Sequence, residues 1–207
     1  MAKPVTIEIA SDVVCPWCYI GKRRLEKALA RLDGEIEARL VWLPFQLNPE
    51  MPGGGMPRAE YRRAKFGSAE RARALDARVA SEGAGEGIAF AFDKMARTPN
   101  TTAAHRLIDL AQAQGKGDAV VEALFRAYFE EARDTGDAAV LQEIAARCGV
   151  SGWPEAADAA RVTRLEDDVR GLGIHAVPTF IFNRETGVSG AYPPEALARA
   201  IREIAAK

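Results

Sequence analysis

Residues 11–21 of this 207-residue chain read SDVVCPWCYIG, and this stretch decides the fold. The preceding residues 5–11 alternate apolar and polar side chains, which is typical of a β-strand with one buried face. Over residues 17–32 the apolar side chains instead recur every three or four positions, which predicts an amphipathic helix. The two cysteines of the quoted stretch, Cys15 and Cys18, therefore lie at a predicted strand-to-helix junction.

Further strands are predicted on both sides of the long middle part of the chain. Residues 36–43 alternate again, so the chain opens with strand, helix and strand, the order of a parallel crossover unit. Residues 178–182 are a short apolar and aromatic run, which predicts a buried strand, and residues 188–190 can form a return strand. A final helix is expected to begin at Pro193-Pro194.

The middle of the chain predicts helices. They are expected at residues 59–82, at residues 100–114, from Asp118 onward, from Asp137 to Gly149, and from Pro154 to Leu172. We therefore predict an α/β domain of residues 1–49 and 166–207 that carries an all-helical insertion of residues 50–165. We expect this insertion to cover one side of the cysteine pair rather than to form an independent domain.

The spacing of Cys15 and Cys18 predicts thiol–disulfide exchange. A thiol attacks a disulfide only as its thiolate, and the start of a helix offers unpaired N–H groups and the positive end of the helix dipole. We therefore expect the pKa of Cys15 to be lowered. Cys18 lies one helical turn further on, where it can close a small disulfide ring and resolve a mixed disulfide. Pro16 suits the first helical position and stiffens this ring.

Two other interpretations of the pair are less favoured. A zinc or iron–sulfur site needs about four ligands. Only Cys148, His105 and His175 remain as suitable ligands, and they form no second closely spaced pair, so we predict no metal site. Two incidental core cysteines are also disfavoured, because Pro16 and Trp17 lie between them at a helix start.

Composition limits the partners and the compartment. The 28 Lys and Arg residues nearly balance 29 Asp and Glu residues, so neither nucleic acid nor a membrane surface is expected as a partner. The arginine-rich residues 58–78 are interpreted as a solvated helix face. No apolar run approaches the roughly 18 residues of a spanning helix. With no signal-peptide pattern at the start and three cysteines in total, we predict a cytoplasmic protein, either a monomer or a homodimer.

Residues 174–180, IHAVPTF, supply a second motif. A Cys-Pro-Trp-Cys after the first strand, a helical insertion and a late Val-Pro-Thr-Phe together resemble a DsbA-family thioredoxin fold. Residues 11–21, residues 100–107 (NTTAAHRL) and residues 124–129 (LFRAYF) resemble its FrnE-type branch. That branch is related to the 2-hydroxychromene-2-carboxylate isomerases and the kappa-class glutathione transferases.

The resemblance implies the role of each site residue. Cys15 is the nucleophile, Cys18 is the resolving thiol, and Pro178 is a cis-proline that faces them. A cis bond would turn the Val177 backbone outward beside Cys15, where a substrate could pair with it like an added strand. The residues expected to contact substrate are Pro16, Trp17 and Val177.

The resemblance also implies an activity, that of a DsbA-like protein disulfide oxidoreductase. Its substrates would be proteins or small molecules that carry thiols or disulfides. No bound cofactor is expected besides the redox-active Cys15–Cys18 disulfide, although glutathione is allowed as a co-substrate.

Two other functions stay open. One is a glutathione-dependent isomerase or transferase that acts on a small electrophile and does not need Cys18. The isomerase branch usually carries serine where Cys15 stands, which argues against that activity. The other is a binding module whose insertion recognises a partner and whose cysteines sense redox state.

The position of Ala176 is often glycine in this family, and the change is expected to narrow the substrate groove.

Four residues outside the catalytic set have weaker predictions. Cys148 follows Leu141 and Ile144 on an apolar stripe, so we expect a buried, inert thiol. His105 is interpreted as a partly exposed structural histidine that could line the cleft. His175 is close enough to the proline loop to touch substrate. Trp17 either faces the substrate or anchors its helix.

Overall fold

A four-stranded mixed sheet lies at the centre of the fold. The computed structural model describes residues 2–207. In chain order its elements are β1 (Lys3–Ser11), α1 (Pro16–Ala30), β2 (Ile36–Pro44), β3 (Met56–Pro57), α2 (Arg58–Phe66), α3 (Ala69–Gly85), β4 (Arg97–Thr98), α4 (Thr102–Ala113), α5 (Gly117–Phe125), a π-helical turn (Arg126–Glu130), α6 (Ala138–Arg147), α7 (Ala159–Gly171), β5 (Thr179–Phe182), β6 (Thr186–Ser189) and α8 (Pro194–Ala205). The sheet order is β2-β1-β5-β6. Strand β1 runs parallel to β2 and antiparallel to β5, which is antiparallel to β6.

The alternation predicted for β1 places its side chains in two hydrophobic clusters. Val5, Ile7 and Ile9 are buried in the main core. Ala10 points to the opposite face, as successive strand residues do, and packs with Phe45 and with Val169 of α7. Helices α1 and α8 pack against each other, and α8 contacts β1, while α7 contacts β2. The sheet is therefore covered by helices on both faces.

The helical insertion shares the main core with the sheet. Helices α4, α5 and α7 contact β2, and α3 contacts α1. Trp42 of β2 belongs to the same buried cluster as Leu107, Leu124 and Phe129 of the insertion. The hydrophobic interior is thus continuous between the two predicted parts of the chain, and their division into domains stays a prediction.

Residues 59–82 are helical as predicted, but the structure divides them between two helices, α2 and α3. Helix α2 ends at Gly67, which has a φ of +86°, a conformation that favours glycine. The backbone N–H of Arg71 then donates to the Ser68 hydroxyl (3.1 Å), so Ser68 caps α3.

The helix predicted to start at Pro154 begins later. The Trp153–Pro154 bond is cis, and α7 starts at Ala159. The Asp158 side chain caps it by accepting from the Arg161 backbone N–H (2.9 Å). The predicted boundary at residue 165 falls inside α7, so it does not coincide with the end of an element.

The insertion is also not purely helical. Strands β3 and β4 pair as a two-residue antiparallel ribbon. The run from Ile88 to Phe92 forms no strand, and the rings of Phe90 and Phe92 stack with centroids 4.7 Å apart. Residues Arg126–Glu130 form a π-helical turn that the sequence pattern does not predict. Such turns are common at functional sites.

Gly21 allows α1 to approach the sheet closely. A Cβ atom at this position would lie 2.9 Å from Cγ of Pro178 and 3.2 Å from Cζ of Phe180. The proline ring is tied to the backbone, so it cannot move aside as a flexible side chain would. Gly21 therefore sets the distance between α1 and the start of β5.

We expect Gly21→Ala to lower the free energy of unfolding by about 1–3 kcal/mol, the usual cost of overpacking. This outcome runs against helix propensity, which favours Ala over Gly by about 1 kcal/mol. Denaturant unfolding measures it. The matched control is Gly85→Ala in α3, where nothing lies within 4 Å of the added Cβ and no loss is expected. Equal stability of the two variants would show that the contact with Pro178 is not tight.

Candidate active site

The strand register brings the two predicted motifs together. Ala10, near the end of β1, is paired with Thr179, the first residue of β5. Because these strands are antiparallel, the turn that follows β1 and the loop that precedes β5 meet at the same edge of the sheet. The Val177–Pro178 peptide bond in this loop is cis, as the family resemblance implies.

Cys15 occupies the N-cap position of α1. Its backbone is extended, Pro16 follows at the first helical position, and no side chain caps the helix. The first turn of α1 contains no acidic residue. The uncapped N–H groups of this turn and the helix dipole therefore favour negative charge at Cys15.

The Cys15 sulfur faces the proline loop. Its thiol donates a hydrogen bond to the backbone carbonyl of Val177, with 3.6 Å between sulfur and oxygen. Only 5% of the Cys15 surface is exposed. The exposed part of Cys15 is therefore small, and its sulfur lies against the loop that contains Val177 and Pro178.

Cys18 lies one turn deeper and is 1% exposed. Burial raises its pKa well above the usual thiol value, and the hydrogen bond and charge of Cys15 raise it further. Hydrogen bonds from the Asp12 backbone and the Ser11 hydroxyl lower it in part. Cys18 is therefore a protonated thiol at neutral pH. Both cysteines are free thiols in this structure.

The loop before β5 is held in place by Thr179. Its hydroxyl donates to the carbonyl of Ala176 (2.8 Å) and lies 3.0 Å from the Ser189 hydroxyl of β6. The carbonyl of Pro178 accepts from the Gly190 backbone N–H (2.8 Å). These contacts hold the Val177 backbone in place. They depend on the pairing of β5 with β6, so short sequence motifs do not predict them.

Asp12 supports the turn that contains Cys15. Its backbone carbonyl accepts from the Cys15 N–H (3.0 Å), and its Oδ2 atom accepts from the Leu47 N–H (2.8 Å). Asp12 is completely buried, and its Oδ1 atom lies 3.4 Å from Nε2 of His105. The prediction of a partly exposed His105 is wrong, since only 3% of its surface is exposed. His105 packs beneath the active-site turn, from the first turn of α4.

The remaining candidates differ in exposure. Trp17 and Val177 are half-buried and pack against the main core, whereas His175 is exposed. The prediction of a buried Cys148 is wrong, because it is half-buried at the C-cap of α6. Cys148 still packs against the main core, as its apolar stripe predicts, but its side chain stays partly exposed at the end of the helix.

The insertion faces the residues on both sides of Cys15. Val14 and Pro16 line a small cavity whose opposite wall is made by the insertion, including Phe92 and Tyr128.

No three His, Cys, Asp or Glu side chains within residues 2–207 are arranged to hold a metal ion. Over the same residues, no helix is long and apolar enough to cross a membrane.

Comparison with known families identifies the fold. The sequence matches the DSBA-like thioredoxin domain over residues 6–202. The chain belongs to this family. The predicted α/β thioredoxin fold with a helical insertion is therefore confirmed, and so is the DsbA-family resemblance.

Three similar proteins align with nearly the whole chain. Probable DsbA oxidoreductase SCO1869 from Streptomyces coelicolor has a TM-score of 0.88 at 32% identity, over 98% of this chain and 91% of that one. YwbO of Bacillus subtilis (strain 168), described as an uncharacterized protein, is 28% identical over 96% of each chain. The cytosolic disulfide reductase DsbM from Pseudomonas aeruginosa has the same fold, with a TM-score of 0.64 at 22% identity over 97% and 95% of the chains. DsbM has also been solved with GSH.

We expect Cys15 to be the first of the three cysteines to react with iodoacetamide at pH 7, by on the order of tenfold, because only thiolates are alkylated. Burial raises the pKa of Cys18 and also that of Cys148. Cys15 instead lies at the positive end of α1. Peptide mapping by mass spectrometry over time gives the order of labelling. Earlier labelling of Cys18 or Cys148 would contradict this assignment.

Proposed function

We propose that this DSBA-like protein is a cytosolic thiol–disulfide oxidoreductase that acts through Cys15 and Cys18. The observation that carries the proposal is the position of the Cys15 sulfur, between the N-terminus of α1 and the carbonyl that precedes Pro178. The helix end favours the thiolate, and the loop before β5 offers the backbone groups of Val177 to a substrate segment beside it.

The exchange proceeds in two steps that conserve atoms and electrons. The Cys15 thiolate attacks one sulfur of a substrate disulfide, which forms a mixed disulfide and releases a substrate thiolate. Cys18 then gives up its proton, which passes through solvent to a released substrate thiolate, and attacks the Cys15 sulfur; this releases the second substrate thiolate and leaves a Cys15–Cys18 disulfide. The substrate gains two electrons and the protein loses two. The same steps in reverse oxidise a dithiol substrate.

The environment of Cys18 suits the second step. Before the first attack, the charge and hydrogen bond of Cys15 raise the pKa of Cys18. Once the Cys15 sulfur belongs to a mixed disulfide, that charge is gone, while the hydrogen bonds from Asp12 and Ser11 remain. The Cys18 thiol is then deprotonated more easily, at the stage when its thiolate is needed.

The family and its neighbours support this reading. SCO1869, which is described as a DsbA oxidoreductase, matches this chain at 32% identity. DsbM is described as a cytosolic disulfide reductase and has been solved with GSH. We infer that glutathione or a similar thiol reduces the Cys15–Cys18 disulfide after each turnover.

A glutathione-dependent isomerase or transferase is the second candidate. Such an enzyme needs one positioned thiolate and no resolving sulfur. The placement of Cys18 one turn from Cys15, buried beneath it, has no role in that chemistry. The geometry therefore favours disulfide exchange.

Cys18→Ser separates the two candidates. If Cys18 resolves mixed disulfides, the variant still attacks substrates through Cys15 but cannot release them. We expect covalent protein adducts that reductant dissolves, visible on non-reducing gels, and a loss of disulfide turnover of about 100-fold or more.

Cys148→Ser is the matched control, since it removes the third thiol from a site remote from the proline loop, and it should behave as wild type. The double variant Cys15→Ser/Cys18→Ser should trap nothing. Full disulfide turnover by Cys18→Ser would overturn the proposal, and retained activity on a small electrophile without trapped protein would favour the transferase.

A further inference from the structure

The cavity beside the active-site turn has a basic wall. We call it the arginine pocket and define it by six of its lining residues, Val14, Pro16, Arg58, Arg62, Phe92 and Tyr128. Val14 and Pro16 flank Cys15 in the sequence, and the other four residues come from the insertion. The pocket therefore lies directly next to the residue that attacks the substrate.

Two guanidinium groups of α2 share a single carboxylate in this pocket. Arg58 donates to Oδ2 of Asp76 (3.1 Å), and Arg62 donates to Oδ1 of the same side chain. Asp76 is the one acidic residue among the described residues that line the pocket. The wall thus keeps a net positive charge, and burial together with the nearby Arg58 lowers the pKa of Arg62.

Several donors of these arginines have no protein partner. The Nε atom of Arg62 is buried and hydrogen-bonds to nothing within residues 2–207. Arg58 donates to a described residue only through one terminal nitrogen, and its guanidinium lies over the Phe92 ring at 5.3 Å. Buried N–H groups of arginine cost free energy when they are left unpaired, and a carboxylate is the partner that fits their planar geometry.

We propose that the arginine pocket binds the carboxylate of a small disulfide or thiol substrate while its sulfur reacts at Cys15. Arg58 and Arg62 are the specificity-determining residues of this subsite. The aromatic rings of Phe92 and Tyr128 exclude water from the pocket and strengthen the pairing of opposite charges. The π-helical turn Arg126–Glu130 places Tyr128 in the wall.

This inference rests on the proposed disulfide exchange and specifies its substrate. A matched set of three disulfides tests it, because these compounds have similar size and differ in charge. They are 3,3′-dithiodipropionate, which is anionic, hydroxyethyl disulfide, which is neutral, and cystamine, which is cationic. For the wild-type protein we expect kcat/KM to fall in that order, with about tenfold between the anion and the neutral compound at low salt.

Three variants assign this preference to the pocket. Arg58→Met and Arg62→Met should each reduce the ratio of kcat/KM for the anion over the neutral disulfide by several-fold, mainly through KM. Asp76→Asn removes the competing carboxylate and should increase the ratio. The matched control is Arg63→Met, an exposed arginine on the same helix that does not line the pocket. It should leave the ratio unchanged.

The ratio is informative even if a variant is less stable, because a smaller folded fraction lowers both rates equally. Equal rates of the wild-type protein with all three disulfides, or an unchanged ratio in both Arg58→Met and Arg62→Met, would overturn the subsite while leaving disulfide exchange intact. Absence of reaction with all three compounds would instead contradict the proposed function. Comparison of the affinities for glutathione disulfide and for an acidic peptide disulfide then shows whether the carboxylate belongs to a small thiol compound or to a peptide.

Discussion

The antiparallel pairing of β1 with β5 is the constraint on which the site depends. Cys15 and Pro178 are far apart in the sequence, and only this pairing brings the turn after β1 to the loop before β5. Gly21 lets α1 pack within contact distance of Pro178. This contact sets the distance between the loop and the helix at whose N-terminus the two cysteines lie. The hydrogen bond from the Cys15 thiol to the Val177 carbonyl follows from this arrangement.

The insertion completes the surroundings of the thiol rather than standing apart from them. His105 of α4 packs against Asp12 beneath the turn that contains Cys15. Helix α2 lies beside the same turn, because its Arg58 and Arg62 line the arginine pocket. The hydrophobic core continues from the sheet into the insertion, which makes these positions rigid. A change within the insertion can therefore alter substrate choice without touching either cysteine.

Local sequence signals predicted much of this structure. The strand-to-helix junction at Cys15 follows from a short motif whose physical requirements are local, whereas the cis bond at Val177–Pro178 was implied by the family resemblance. The break between α2 and α3, by contrast, depends on Gly67, one glycine with a positive φ within a stretch that otherwise favours helix. Helix α7 begins late because Asp158, and not Pro154, supplies the cap.

The contacts between distant segments could not be read from sequence periodicity. The buried contact of His105 is with Asp12, which lies in a different part of the chain. Cys148 was expected to be buried on an apolar stripe, and it does pack against the main core, but at the C-cap of α6 its side chain stays partly exposed. The shared carboxylate of Arg58 and Arg62 likewise depends on how α2 and α3 pack after the break between them.

The central claim is that Cys15 and Cys18 form a reversible redox pair. Equilibrating the wild-type protein in a series of glutathione redox buffers, followed by acid quenching and peptide mass spectrometry, measures which sulfurs are joined. We expect one two-electron transition to a disulfide that links Cys15 and Cys18, with Cys148 remaining a free thiol. A protein that stays fully reduced in every buffer, or that forms only a glutathione adduct on Cys15, would contradict it.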